Sequence, residues 1–245
     1  MNWMFGLGIA MLFSLSPSLF AQHAQVAYLI PGQGADYRLF QDLNLPAEWE
    51  IRHVHYLMPE PQMDMASYAQ LMATQIDTCR PFVLIGASLG GMLSVEMAEF
   101  LNPELVILIG SAKHRGELPG RYRFQRRLPI FEIVPAGMAK WGALRLQPIV
   151  EYDRNTRKEE FVAMLRDKDP QFLDRTIEMI IRWERTDCRH SNVVHIHGER
   201  DHTIPLKGVE ADFVVEDGSH LMTLTRAEEI STLISVIWES CIWAE

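Results

Sequence analysis

The chain has 245 residues, 48% of them hydrophobic and 22% charged, and its formal net charge is −9. This composition is typical of a globular protein with a sizeable core and excludes disordered and fibrous classes. The acidic balance argues against a nucleic-acid partner or an anionic membrane surface. The basic cluster within Arg121–Arg127 is too local to reverse that balance, and we interpret it as a solvated loop or lid face.

Residues 1–22 differ in character from everything after them. No charged side chain occurs from Met1 to Ala21, and Trp3–Phe13 is almost wholly apolar. This pattern predicts a signal peptide and export to the periplasm or medium, although no Lys or Arg precedes the apolar stretch. The stretch is short for a membrane span of about 20 residues, and no later segment is apolar enough for one. An uncleaved anchor, an upstream start codon on a cytoplasmic protein and a buried helix are the alternatives.

Three widely spaced cysteines, Cys79, Cys188 and Cys241, fit no metal-binding pattern. Export would permit one disulfide, but the sequence does not choose the pair. We therefore interpret them as buried, inert thiols. None lies in a turn motif suited to a nucleophile.

Along the rest of the chain, short apolar runs alternate with segments of helical spacing. The predicted strands are Val26–Ile30, Ile51–Leu57, Phe82–Ile85, Leu105–Ile109, Val193–His197 and Asp212–Val215. The predicted helices among and after them are Met65–Ile76, Leu89–Leu101 and Ala227–Trp243. Apolar runs bounded by turn residues are typical of strands buried on both faces of a sheet. The alternation predicts an α/β fold with a mainly parallel sheet and helices on both faces.

One stretch, from Lys113 to about Asp187, lacks a strong strand signal. The segments in it with helical spacing are Ala136–Leu146, Lys158–Leu165 and Gln171–Trp183. An insertion there would lie above the carboxyl ends of the strands, where ligands bind. We therefore predict a core of residues 23–112 and 188–245 with a helical lid at 113–187. The alternative is a packing excursion without a gating role.

The segment Gly86-Ala87-Ser88-Leu89-Gly90 matches the pattern G-x-S-x-G. It directly follows an apolar strand and opens an amphipathic helix, as the motif requires, because the serine must occupy a tight strand-to-helix turn. The helix N-terminus directs free N–H groups toward developing negative charge. Ser88 is therefore the candidate nucleophile. The alternative is an inert serine in a glycine-rich packing contact.

A serine hydroxyl needs a base to take its proton. Of the nine histidines, His220 lies in a turn between the last predicted strand and the terminal helix, from which it could reach the nucleophile. His195 and His197 lie inside a strand, where packing or hydrogen bonding is the simpler interpretation. His202 is a weaker rival because it shares a loop with the candidate acid.

Asp201 is the candidate acid that would orient the histidine. It follows the strand ending near His197, so its carboxylate lies at the carboxyl end of the strand before the histidine turn. Ser88, Asp201 and His220 then occur in the chain order of α/β-hydrolases. The rival acids are Glu199, Glu216 and Asp217.

An oxyanion hole needs two N–H donors directed at the tetrahedral intermediate. Leu89, the residue after the nucleophile, is predicted to supply one. The loop Pro31–Asp36 after the first strand is predicted to supply the other, from Gln33. Glycines in this loop allow a close approach to the substrate. The loop lacks the spacing of dinucleotide and P-loop motifs, which disfavours a phosphate-binding role.

The chain resembles the α/β-hydrolase superfamily over residues 26–243, and small bacterial hydrolases in particular. The segments that carry the resemblance are Pro31–Asp36, Gly86–Gly91, His197–Asp201 and Gly218–His220. The chain departs from many relatives at Pro31, where a histidine often precedes the oxyanion glycine. The resemblance implies hydrolysis of a small-molecule ester or thioester through an acyl-enzyme, with no metal or organic cofactor. An amidase, peptidase or lyase with the same triad, or a catalytically silent binding protein, is the alternative.

Overall fold

The computed structural model describes residues 25–127, 156–190 and 192–242. Within these ranges six strands form one sheet in the order β2-β1-β3-β4-β5-β6, and every neighbouring pair is parallel. The strands are β1 (Val26–Ile30), β2 (Glu50–His53), β3 (Phe82–Ala87), β4 (Leu105–Ile109), β5 (Val193–Gly198) and β6 (Phe213–Val215). The predicted α/β class with a parallel sheet is confirmed.

Seven α-helices occur within the described ranges. They are α1 (Met65–Ala73), α2 (Leu89–Leu101), α3 (Gly120–Arg127), α4 (Lys158–Asp167), α5 (Pro170–Arg182), α6 (Met222–Thr225) and α7 (Ala227–Ile242). Two short 3-10 helices, Tyr37–Phe40 and Leu206–Gly208, lie in loops. None of the helices in this part of the chain has the length and apolarity that crossing a bilayer requires.

The core lies around three of the four interior strands of the sheet, β1, β3 and β4. Every residue of β1, β3 and β4 is buried, so both faces of the sheet are covered there. Helix α2 packs against β3, β4 and α1, and its first ten residues are all buried. The turn between β3 and α2, which carries Ser88, is therefore held between two elements that are fixed by core packing.

Strands β1 and β4 and helix α2 have the predicted bounds, whereas β2 ends at His53 instead of Leu57. The N–H of Val54 still donates to Leu29 O of β1, but the N–H of His55 donates to the side chain of Gln75, at Oε1 and 2.9 Å, so pairing with β1 stops there. Helix α1 ends at Ala73 instead of Ile76. Its last turn tightens, since the N–H of Ile76 donates to the carbonyl of Ala73 three residues back.

The predicted lid segment is only partly described. Helices α4 and α5 occur where helical spacing predicted them, and α3 shows that the basic cluster is a helix, not a loop. The predicted helix Ala136–Leu146 and the predicted signal peptide at 1–22 lie outside the described residues. A lid function for 113–187 therefore stays a prediction.

The interpretation of the cysteines as buried is wrong for two of the three. Cys79 and Cys241 are exposed, Cys188 is half-buried, and all three are free thiols. Cys79 lies in the turn before β3, and Cys241 lies on the last turn of α7. Turns and the last turns of terminal helices are commonly exposed to solvent.

Candidate active site

Ser88 occupies a strained turn between β3 and α2. Its φ of 51° and ψ of −118° are unusual for a residue other than glycine. The backbone is held from both sides, since the Ser88 N–H donates to Ile109 O at 3.1 Å and the Ser88 carbonyl accepts from Ser111 Oγ at 2.6 Å. This is the geometry that presents a serine hydroxyl at the top of a parallel sheet.

Glycines on either side of Ser88 are required by close backbone contacts. A Cβ on Gly90 would lie 2.1 Å from the carbonyl oxygen of Ile30 and 2.6 Å from that of Pro31. A Cβ on Gly86 would lie 2.4 Å from the Gly90 oxygen. These contacts are with backbone atoms that cannot rotate away, so the tight turn depends on both glycines.

We expect Gly90→Ala to lower the free energy of unfolding by about 3 kcal/mol, because its methyl group would push β1 away from α2. Urea unfolding followed by circular dichroism measures the change. Gly208→Ala is the matched control, since its Cβ would meet only Glu117 O, at an ordinary 3.6 Å. Equal unfolding midpoints for the two variants would contradict the tight contact.

The structure brings Ser88, His220 and Asp201 into one hydrogen-bonded series. His220 Nε2 lies 2.9 Å from Ser88 Oγ, and His220 Nδ1 lies 2.7 Å from Asp201 Oδ2. The carboxylate accepts, so Nδ1 carries the proton and Nε2 is left to accept from the serine hydroxyl. His220 lies in the turn before α6 and Asp201 lies in the loop after β5.

Asp201 is buried and well satisfied by hydrogen bonds. Its Oδ1 accepts from the Ile204 N–H at 2.7 Å, while Oδ2 faces His220. Burial by itself would raise the pKa of this carboxyl, but His220, His197 and the Ile204 N–H together hold that pKa below its ordinary value. The carboxylate is therefore ionised at neutral pH.

His195 and His197 form a buried pair behind the acid. His197 Nε2 lies 2.8 Å from Ile204 O and 3.5 Å from Asp201 Oδ2, and its Nδ1 lies 3.2 Å from His195 Nε2. Burial lowers the pKa of both imidazoles. Both imidazoles are buried, in agreement with the interpretation that they are packed or hydrogen-bonded, and His197 also holds the loop that carries Asp201 through its contact with Ile204 O.

The rival residues take no part in the described hydrogen bonds that join Ser88, His220 and Asp201. His202 is exposed and lies at the rim of the cavity beside Ser88. Glu199 is exposed, and its Oε2 accepts from the Asp217 N–H at 3.1 Å. Glu216 is exposed too, and Asp217 forms an ion pair with Arg200 at 2.8 Å.

The two predicted oxyanion donors lie in elements on either side of the serine. Leu89 is the first residue of α2, so its N–H has no acceptor within the helix. A Cβ on Gly32, next to Gln33, would lie 3.3 Å from Ser88 Cβ, so this loop lies alongside Ser88. The N–H of Gln33 has no hydrogen-bond partner in the part of the chain that the structure describes.

The sequence did not indicate how the Gln33 loop is held. The side-chain amide of Gln33 donates from Nε2 to Leu173 O and to Thr176 Oγ1, both at 2.8 Å and both on α5. On the other side of the loop, the Tyr56 hydroxyl donates to Pro31 O at 2.6 Å. The loop is therefore hydrogen-bonded both to α5 and to the segment that follows β2.

A cavity of about 670 Å³ opens beside Ser88 and His220. This volume is in the range of small-molecule sites. The Gln33 loop lines one side, and an apolar wall from α4 and α5 lines another. The residues of that wall are Phe161, Leu165, Leu173, Ile177 and Ile180. The cavity suits a substrate with an apolar part.

Two residues at the site were missed by the sequence analysis. Gly110 directly follows β4 with a φ of +53°, and a Cβ there would lie 3.5 Å from Asp201 Oδ2 and 3.6 Å from His220 Nδ1. Its position right after an apolar strand was the available signal. Arg121 lines the cavity from α3, and no sequence signal distinguished it from its arginine neighbours.

A family model described as "Alpha/beta hydrolase family" matches residues 2–233 of this chain. Similar solved structures include an esterase from Thermogutta terrifontis (16% identity, 89% of this chain and 90% of that chain covered, TM-score 0.62). Others are a lipase-esterase related protein from Clostridium acetobutylicum (15%, 88% and 95%, 0.65) and MenH from S. aureus (12%, 90% and 95%, 0.67). At these identities the likeness concerns the fold. No curated protein sequence matches the chain.

Proposed function

The chain belongs to the alpha/beta hydrolase family, and from this membership we propose that it is a serine hydrolase of small-molecule carboxylic esters or thioesters. The observation that carries the proposal is the series Ser88–His220–Asp201, with contacts of 2.9 Å and 2.7 Å, at the floor of a largely apolar cavity. A nucleophile, a base and an orienting acid in hydrogen-bond contact are what acyl transfer requires.

In the first half-reaction, Ser88 Oγ attacks the carbonyl carbon while its proton passes to His220 Nε2. Asp201, ionised and buried, stabilises the imidazolium that forms. The N–H groups of Leu89 and Gln33 donate to the oxyanion of the tetrahedral intermediate. The bond to the leaving group then breaks, and that group takes the proton from His220 as an alcohol or thiol.

In the second half-reaction, water attacks the acyl-enzyme. His220 takes a proton from the water, and the same two N–H groups hold the second oxyanion. Collapse of this intermediate releases the carboxylic acid and returns the proton to Ser88 Oγ. The substrate's apolar portion would contact the wall from α4 and α5, such as Phe161 and Leu173.

The test is covalent labelling with a fluorophosphonate together with a series of p-nitrophenyl esters of increasing chain length. We expect the wild type to take up label at Ser88, shown by mass spectrometry of the labelled peptide, and to hydrolyse the esters. Ser94→Ala, which removes a buried hydroxyl of α2 that does not line the cavity, is expected to label like the wild type. Matched thioester and amide substrates then separate esterase from amidase or peptidase activity.

A folded wild type that neither labels nor hydrolyses any ester would contradict the proposal. The chain would then be better described as a binding protein on this fold. Label on a residue other than Ser88 would contradict the assignment of the nucleophile.

A further inference from the structure

We infer that Arg121 forms a binding site for an anionic group of the substrate, so that the preferred substrate joins an apolar chain to a carboxylate. The inference rests on the proposed function, since it concerns the ester bound beside Ser88.

The described residues that line the cavity carry a positive formal charge, although the chain as a whole is acidic. The formal net charge of the protein is −9, yet no Asp or Glu occurs among the described residues that line the cavity. Arg121 is the permanently charged residue among them, and His202 lies on the same rim. A cleft with one sign of charge attracts ligands of the opposite sign.

The Arg121 side chain is held in place without being neutralised. One of its Nη2 N–H groups donates to the carbonyl of Thr203, in the loop that follows Asp201. Its guanidinium carbon lies 5.0 Å from the centre of the Tyr122 ring. Across the described residues it forms no ion pair with a carboxylate, whereas Arg126 on the same helix pairs with Glu184 at 2.8 Å. Guanidinium donors are therefore left for a ligand.

The anion site and the apolar wall lie on one cavity. Phe161, Leu165 and Ile177 supply apolar surface from α4 and α5, while Arg121 and His202 supply the polar rim. A purely aliphatic ester would offer no acceptor to the remaining guanidinium donors, and a highly charged ester would not cover the apolar wall. The substrate that satisfies both is amphiphilic, with one carboxylate at a distance from the scissile ester.

Two matched substrate pairs test the inference. Mono-p-nitrophenyl glutarate and its neutral methyl ester place the charge on the acyl side. The anion p-butanoyloxybenzoate and its methyl ester place it on the leaving-group side. We expect the wild type to prefer the anion in at least one pair, and Arg121→Gln to lower kcat/KM for that anion about tenfold while leaving its neutral partner unchanged. Arg121→Lys should retain part of the preference.

Arg123→Gln is the matched control, because Arg123 is exposed on α3 as Arg121 is but is not among the described residues that line the cavity. Its kinetics should equal those of the wild type. The inference would be overturned if Arg121→Gln lowered kcat/KM equally for the anionic and the neutral esters, or if the wild type preferred neither anion. Hydrolysis of the neutral esters would in either case still support the proposed function. If the wild type hydrolysed none of the four esters and took up no label, both the inference and the proposed function would be overturned.

Discussion

Ser88→Ala is expected to lower kcat for p-nitrophenyl ester hydrolysis by about 10⁵- to 10⁶-fold. The variant lacks the oxygen that attacks the carbonyl, so turnover would depend on water and on the remaining N–H donors. The fold should persist, because Ser88 is held through its backbone to Ile109 O and Ser111 Oγ, and alanine keeps both contacts. Initial rates at saturating ester measure the loss, and circular dichroism checks the fold.

Ser94→Ala is the matched control for this prediction. Ser94 is buried on α2, six residues after Ser88, and its Oγ donates to Gly90 O at 2.8 Å. It does not reach the cavity, so we expect its kcat to stay within a few-fold of the wild type. A Ser88→Ala protein that retained wild-type turnover would show that the esterase activity arises from another residue.

Asp201→Asn is expected to lower kcat by about 10⁴-fold. An amide can offer its NH₂ group to His220 Nδ1, which favours the tautomer with its proton on Nε2 and removes the acceptor for the serine hydroxyl. The variant also loses the negative charge that stabilises the imidazolium. Since the pKa of Asp201 lies below its ordinary value, the wild-type carboxylate is ionised over the neutral range and the loss should appear throughout it.

Glu199→Gln is the control for the acid. Glu199 lies two residues before Asp201 in the same loop, but it is exposed and accepts only from the Asp217 backbone among the bonds described for it. We expect its kcat to match that of the wild type across the pH range. If Glu199→Gln lost activity and Asp201→Asn did not, the assignment of the acid would be wrong.

The two buried histidines give a physical account of how Asp201 is held. Its loop is anchored by the Ile204 N–H on one carboxylate oxygen and by His197 Nε2 on the Ile204 carbonyl. His195 accepts from the Ser111 N–H at 3.3 Å, and Ser111 in turn donates to the Ser88 carbonyl. The loop that carries Asp201 and the turn that carries Ser88 are therefore linked through the core as well as through His220.

The elements that the sequence determined by itself are those with strong local signals. Strands β1 and β4 are apolar runs closed by turn residues, and α2 begins at a glycine-rich motif, so their bounds needed no distant contact. The candidate residues Ser88, Asp201 and His220 could be chosen because each follows a predicted strand in a parallel sheet. Such strands present their carboxyl ends at one edge.

The tertiary structure alone decided the contacts between segments far apart in the chain. Ser88 Oγ and His220 Nε2 lie 2.9 Å apart although the two residues are separated by 132 positions in the chain. The side-chain amide of Gln33 donates to Leu173 O on α5, 140 positions away. Arg121 looks like its arginine neighbours in sequence, and only packing decides that it lines the cavity while Arg126 pairs with Glu184. Local patterns record which face of an element is apolar, but the partner that covers that face depends on how all the elements pack together.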